Sequence, residues 1–181
     1  MKIEKEIISQ LERPYFFLTG IFDIDEKYFK KRIDEGVRHS NLNYKTNVVG
    51  MMTDWEFFNK DKMFGVFIAQ VLNYIERLNF KLDPCQLEDS WGIIEKFGGM
   101  TKKHRHASSY FSGVLYLNDH PQKLYFPEIK QEVTPKKGRA VLFSSFLYHA
   151  TERNLKDKAK YAISFNFRDQ EFQVRKNEDY R

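Results

Sequence analysis

The chain has 181 residues and a mass of 21.7 kDa, a size typical of one domain that buries about two-thirds of the surface its unfolded chain exposes. An aromatic fraction of 16% favours sheets or an aromatic-lined core over a helical bundle. The formal net charge is +5. Nucleic-acid binding is possible but not favoured, because no basic stretch is long or interleaved with regularly spaced aromatic residues.

The sequence carries no sign of secretion or membrane insertion. No segment approaches the roughly 18 apolar residues of a membrane span, and the N-terminus has mixed charges before any apolar run. Cys85 is the single cysteine, which excludes an intramolecular disulfide and fits reducing surroundings better than oxidising ones. We therefore expect a cytoplasmic protein without a membrane partner.

The periodicity of the apolar residues changes near residue 90. Before it, the pattern predicts helices over about 25–37 and about 61–79, the second with apolar residues at spacings of three and four. These apolar residues form a stripe on one face of the second helix, and we predict that it packs against a sheet. The stripe consists of Phe64, Phe67, Ile68, Val71, Leu72, Ile75 and Leu78. We predict one domain over 1–181, in which 1–89 forms a helical buttress.

Short apolar runs separated by turn residues follow residue 90 and predict strands. Several short strands at this spacing favour a sandwich or barrel, with the N-terminal helices covering one sheet. The predicted strands cover 90–97, 110–118, 123–126, 139–145 and 160–168.

Three histidines lie at strand ends or in adjacent loops of this region. His104 and His106 are two residues apart, so on extended backbone both side chains point to the same side. His149 follows a predicted strand at a distance that lets it return to the same mouth of a barrel. Imidazole suits iron, copper, nickel and zinc, although an isolated H-x-H pattern is more typical of surface or packing positions than of a metal site.

The predicted strand 160–168 has two unlike faces. One carries Tyr161, Ile163, Phe165 and Phe167, and the other carries Lys160, Ala162, Ser164, Asn166 and Arg168. The polar face either lies in solvent or lines a cavity. In a cavity, Lys160 and Ser164 would provide a cation and a hydroxyl suited to a carboxylate ligand.

The order of these motifs resembles the iron(II)- and 2-oxoglutarate-dependent oxygenase superfamily, in particular prolyl-hydroxylase-like proteins and the short oxygenases of bacteriophages. It consists of His104-x-His106, the segments 112–118 and 138–143, His149 and the segment 160–164. The resemblance covers about 90–170 and implies a double-stranded β-helix, or jelly roll, as the core over those residues. The fold class is then mainly β with N-terminal helices, and the location is cytoplasmic, in a host cell if the chain is viral.

The resemblance also implies a ligand set for the metal. The family holds iron(II) with an H-x-D/E pair and a distal histidine, and these positions fall on His104, His106 and His149. His106 therefore stands where the family has an acid. Either the three histidines form the site, or one of the first pair is not a ligand; Asp119 is the nearest downstream acid, in a turn.

The same resemblance assigns the co-substrate, 2-oxoglutarate, to Tyr116, Lys160 and Ser164. Lys160 takes the position of the basic residue that pairs with the far carboxylate, although the family more often has an arginine there. A lysine ammonium lacks the planar fork that engages a carboxylate twice.

The function implied by the resemblance is hydroxylation by iron(II), 2-oxoglutarate and molecular oxygen. The substrate is unknown, with a prolyl or other protein side chain favoured, and the loop 51–55 is a candidate for contacting it. Two alternatives remain open: a non-catalytic jelly-roll binding module, which the missing acid favours, and a cupin-type metalloenzyme that does not use 2-oxoglutarate.

Overall fold

A computed structural model describes residues 2–10, 14–40, 46–77, 85–106 and 108–169. Its elements in chain order are β1 (Lys2–Gln10), β2 (Pro14–Ile21), α1 (Glu26–His39), β3 (Val48–Val49), β4 (Met51–Met52), α2 (Lys62–Arg77), β5 (Cys85–Glu95), β6 (Met100–Thr101), β7 (Phe111–Tyr116), β8 (Leu124–Phe126), a 3-10 turn (Pro127–Ile129), β9 (Gln131–Val133), β10 (Arg139–Ser144), β11 (Ala150–Thr151) and β12 (Lys160–Asp169).

Most strands belong to one antiparallel sheet. Its order is β1-β2-β10-β7-β12-β5-β4, and two smaller sheets have the orders β11-β8-β9 and β3-β6. Strand β12 lies between β5 and β7, so strands that are distant in sequence become neighbours at the centre of the sheet. In this register Lys160 lies directly opposite Glu95.

Each helix begins at an aspartate whose side chain accepts a backbone hydrogen bond. Asp25 Oδ1 accepts from the Tyr28 amide at 2.9 Å, and Asp61 Oδ1 accepts from the Phe64 amide at 3.0 Å. Such N-terminal caps satisfy amides that have no partner inside the helix. Within the described ranges, no helix combines the length and hydropathy that crossing a membrane requires.

The two faces of the main sheet bury different sets of side chains. Alternate residues of each strand point to opposite faces. On one face the apolar stripes of the helices pack against Leu115, Leu142, Ile163, Phe165 and Phe167. On the other face the small sheet β8-β9 packs against Phe17, Tyr116, Val141, Phe143 and Ala162.

The helical stripe predicted from the sequence is confirmed. Its buried members are Phe64, Phe67, Ile68, Val71 and Ile75, and Leu72 is partly buried against the same cluster. The predicted end of this helix at 78–79 lies outside the described residues.

The predicted fold class is confirmed as mainly β, but the helices do not open the chain. Strands β1 and β2 precede α1 and extend the main sheet, so part of the segment predicted as a helical buttress is sheet. The segment 14–21 is a strand that pairs on one side with the adjacent β1 and on the other with β10, more than a hundred residues later. The single-domain prediction over 1–181 stays a prediction.

Phe165 tests whether the helices and sheet share one core. It is fully buried, with ring centroids 5.8 Å from Phe64 and 5.9 Å from Phe67, and it crosses over Gly113 on β7. Phe165→Ala should lower the free energy of unfolding by about 3–5 kcal/mol, because it leaves a cavity between the layers. Denaturant unfolding measures this. Val66→Ala, at an exposed position of α2, should cost under about 0.5 kcal/mol, and equal losses would contradict this packing.

Candidate metal centre and adjoining cavity

A short backbone pairing brings the three predicted histidines together. The His104 amide donates to the His149 carbonyl at 3.1 Å, and the His149 amide donates to the His104 carbonyl at 2.9 Å. The His106 amide donates to the Ser145 carbonyl at 2.9 Å. The loop before β7 therefore runs antiparallel to the segment after β10, and the side chains of both meet.

The imidazole rings converge on one point. One ring nitrogen from each of His104, His106 and His149 lies within 4.8 Å of the other two. The Nε2 atoms of His104 and His106 are 3.0 Å apart. Nitrogens that share an ion at about 2.1 Å lie about 3 Å from one another, so small side-chain movements bring all three to ligand positions.

Backbone carbonyls orient two of these rings. His104 Nδ1 lies 2.8 Å from the Lys102 carbonyl oxygen, and His149 Nδ1 lies 3.0 Å from the Leu147 carbonyl oxygen. A carbonyl only accepts, so each Nδ1 carries the proton and each Nε2 keeps its lone pair. This outer hydrogen bond on the second ring nitrogen is typical of histidine ligands in metal sites.

The histidines are neutral near pH 7, which is the form that binds metal. Burial lowers the pKa of His104 and lowers that of His149 well below its usual range. Burial, together with the neighbouring His104, lowers the pKa of His106 to about 4.

Aromatic side chains hold the remaining ring faces. The centroid of Phe143 lies 4.7 Å from that of His149, and Trp91 stacks on His106 at 6.3 Å with an interplanar angle of 16°. The rings are thus fixed by packing as well as by hydrogen bonds.

The histidines lie at a cavity of about 50 Å³, room for a metal ion and a few waters. The three residues predicted to hold the co-substrate, Tyr116, Lys160 and Ser164, line the same cavity. Ala162 lines it too, whereas Ile163 and Phe165 pack toward the helices. The first part of the polar face of β12, Lys160 to Ser164, therefore lines a cavity rather than lying in solvent.

Lys160 already has an anionic partner inside this cavity. Its Nζ lies 2.5 Å from Oε2 of Glu95, and both side chains are buried. Burial lowers the pKa of the Lys160 ammonium, and the Glu95 carboxylate opposes that shift. The histidines fit a metal ion, but the far carboxylate of 2-oxoglutarate would meet a cation that is already paired.

Glu95 was missed from the sequence, although a signal for it exists. Trp91, Ile93 and Glu95 alternate along β5 and all three line the cavity. A charged residue that continues an apolar alternation points into the interior. Its pairing with Lys160 depends on the register of β5 and β12, which the sequence does not contain.

A wider cleft of about 280 Å³ adjoins the cavity and is also lined by His104 and His106. Trp55, from the loop predicted as a substrate contact, lines it with Trp91, and their ring centroids are 4.6 Å apart. Asp89 also lines it, and burial raises the pKa of that carboxyl to about 6.

Asp119, the other acid considered as a ligand, lies away from this centre. Its Oδ1 accepts a hydrogen bond from the Lys137 amide at 2.8 Å. It does not line the cavity with the histidines.

No protein-family model and no curated protein matches the chain. Solved structures match most of its length. The viral collagen prolyl hydroxylase of Paramecium bursaria Chlorella virus-1, in complex with 2-oxoglutarate, is 16% identical, with a TM-score of 0.64 over 84% of this chain and 94% of that one. HygX from Streptomyces hygroscopicus, with nickel and 2-oxoglutarate bound, is 11% identical, with a TM-score of 0.62 over 86% of this chain and 83% of that one.

A prolyl hydroxylase from Trichoplax adhaerens, in complex with a peptide fragment of hypoxia inducible factor, is 15% identical. Its TM-score is 0.60 over 88% of this chain and 86% of that one. The resemblance found in the sequence is thereby confirmed at the level of the fold, which this chain shares with 2-oxoglutarate-dependent oxygenases.

The three histidines should act together in binding metal. We expect His104→Ala, His106→Ala and His149→Ala each to weaken Fe(II) or Ni(II) binding by about 100-fold or more, because each leaves two imidazoles. Anaerobic calorimetry measures this, with His39→Ala, an exposed histidine at the end of α1, as the control. If His106→Ala kept full affinity while the other two lost it, the centre would not have three histidine ligands.

Proposed function

We propose that the protein is a mononuclear non-haem iron(II) oxygenase that uses a 2-oxo acid as co-substrate and hydroxylates its substrate. The observation that carries this is the convergence of His104, His106 and His149, with two rings oriented by carbonyls, on a cavity that also holds Lys160. The shared fold supports it. We further propose that the sheets form a double-stranded β-helix within one domain.

The proposed ligand set is His104, His106 and His149. Three ligands on one side of an ion leave positions for a co-substrate and for oxygen, the arrangement typical of non-haem iron oxygenases. His106 replaces the acid that the family resemblance predicts at this position. Because a neutral imidazole replaces a carboxylate, the bound metal keeps more of its positive charge and attracts anionic ligands more strongly.

When bound, iron(II) supplies the activation of oxygen, coupled to decarboxylation of the 2-oxo acid. The chain's own residues would orient the co-substrate and enclose the reacting centre. Burial raises the pKa of the Tyr116 phenol, so its hydroxyl stays protonated and can donate to the co-substrate. Ser164 adds a second hydroxyl, and apolar walls from Leu124 and Phe143 exclude water from the reacting centre.

We place the substrate in the wider cleft beside His104 and His106, where Trp55 and Trp91 provide aromatic faces. A prolyl or other protein side chain is the favoured substrate, and the peptide complex of the Trichoplax hydroxylase supports that preference. We propose a cytoplasmic location, in a host cell if the chain is viral.

A second candidate is a metalloenzyme of the cupin type that uses the same centre without a 2-oxo acid. Two observations favour it: the ligand set lacks a carboxylate, and Lys160 is already paired with Glu95. In that case the substrate itself would occupy the open positions of the metal.

One anaerobic experiment separates the two candidates. Iron(II) and saturating 2-oxoglutarate should give the weak visible charge-transfer band of a metal-chelated 2-oxo acid. After oxygen is admitted, succinate should form. His149→Ala, which removes a proposed ligand, should show neither. If the protein binds iron but gives neither the band nor a decarboxylated product with any 2-oxo acid, the first candidate is contradicted and the second is favoured.

A further inference from the structure

The ion pair between Lys160 and Glu95 lies inside the cavity that the histidines border. The two residues are cross-strand neighbours on β12 and β5. Lys160 is 3% exposed and Glu95 is fully buried, with 2.5 Å between Nζ and Oε2. Both line the cavity with the histidines, so a ligand that reaches Lys160 also reaches Glu95.

The two oxygens of the Glu95 carboxylate have different partners. Oε2 contacts Lys160, and Oε1 accepts a hydrogen bond from the Thr101 hydroxyl at 2.7 Å. The Thr101 amide in turn donates to the Thr151 hydroxyl at 2.8 Å. Buried charges that lose a partner are strongly destabilising, so this pair resists separation by a ligand.

A second carboxylate at Lys160 would therefore share one cation with Glu95. Two carboxylates in a desolvated site disfavour each other's ionised form, and the attraction that a free ammonium would offer is already used. The surrounding wall is largely apolar, with Ile93, Leu124 and Ala162 among its members. Such a wall suits a hydrocarbon tail better than a second charge.

We infer that Glu95 determines co-substrate choice by occupying Lys160 from within the protein, so that the cavity prefers a 2-oxo acid with an uncharged tail to 2-oxoglutarate. The inference rests on the proposed function, and it names the chemical class of the co-substrate. The 2-oxo acid end still binds the metal, whereas the far end finds a neutral pair instead of a free cation.

Two acids of equal chain length test this directly. 2-Oxopentanoate has a methyl group where 2-oxoglutarate has its far carboxylate. Both are titrated anaerobically into the Fe(II) protein, with dissociation constants from the charge-transfer band and from calorimetry. The wild type should bind 2-oxopentanoate at least as tightly as 2-oxoglutarate, and Glu95→Gln should strengthen 2-oxoglutarate binding by about tenfold or more, because it frees the cation.

Glu132→Gln is the matched control, since it removes one carboxylate from an exposed ion pair with Lys123. It should change both dissociation constants by less than about twofold. Glu95→Gln should not strengthen 2-oxopentanoate binding, because the methyl end of this acid gains nothing from an unpaired ammonium. A thermal melt checks that Glu95→Gln is folded. The comparison of the two acids in the wild type does not depend on that variant.

The outcomes are distinct. A wild type that binds 2-oxoglutarate about tenfold tighter than 2-oxopentanoate overturns the inference and leaves the proposed function intact. A folded Glu95→Gln protein that binds 2-oxoglutarate no more tightly than the wild type also overturns the inference and leaves the proposed function intact. A metal-loaded protein that binds neither acid, before and after the substitution, overturns the proposed co-substrate together with this inference.

Discussion

Two backbone hydrogen bonds between His104 and His149 are the constraint on which the site depends. They fix the loop before β7 against the segment after β10 and thereby set the positions of three imidazoles from two distant parts of the chain. The main sheet supplies the frame, because β7 and β10 are direct neighbours in it. Without that pairing, an H-x-H pattern and a later histidine would have no reason to meet.

The second organising feature is the distribution of charge along the cavity. Three neutral histidines surround a point suited to a doubly charged ion, and one cation and one anion that line the same cavity compensate each other. The superfamily that the sequence resembles places an acid at the metal, whereas here the buried acid lies beside the lysine. A metal held by the three histidines would therefore keep more of its positive charge, whereas the Lys160 and Glu95 pair is nearly neutral.

The helices and the cavity depend on the same sheet. Strand β12 places Phe165 toward the helices and Lys160 and Ser164 toward the cavity, so one strand contributes to the core on one side and to the site on the other. Its two unlike faces therefore have separate physical causes. The helical layer needs apolar contact area, and the cavity needs polar groups that a ligand can satisfy.

Several features of the core and of the site could be predicted from the sequence, because they depend on local periodicity. The stripe of α2, the faces of β12 and the common direction of His104 and His106 each follow from side-chain spacing in a single element. The N-terminal strands were not predicted, and the place of β2 in the sheet depends on its pairing with the distant β10 as well as with the adjacent β1. The Lys160 and Glu95 pair was also not accessible, because it needs the register between two strands that lie 65 residues apart at that point.

The ligand set is the central claim, and X-ray absorption spectroscopy of the iron(II) protein tests it most directly. The account predicts three imidazole nitrogens at about 2.1 Å, with the remaining positions filled by water or added ligand. A spectrum that showed two imidazoles and a carboxylate from the protein would contradict this ligand set, since one of the three histidines would then not be a ligand.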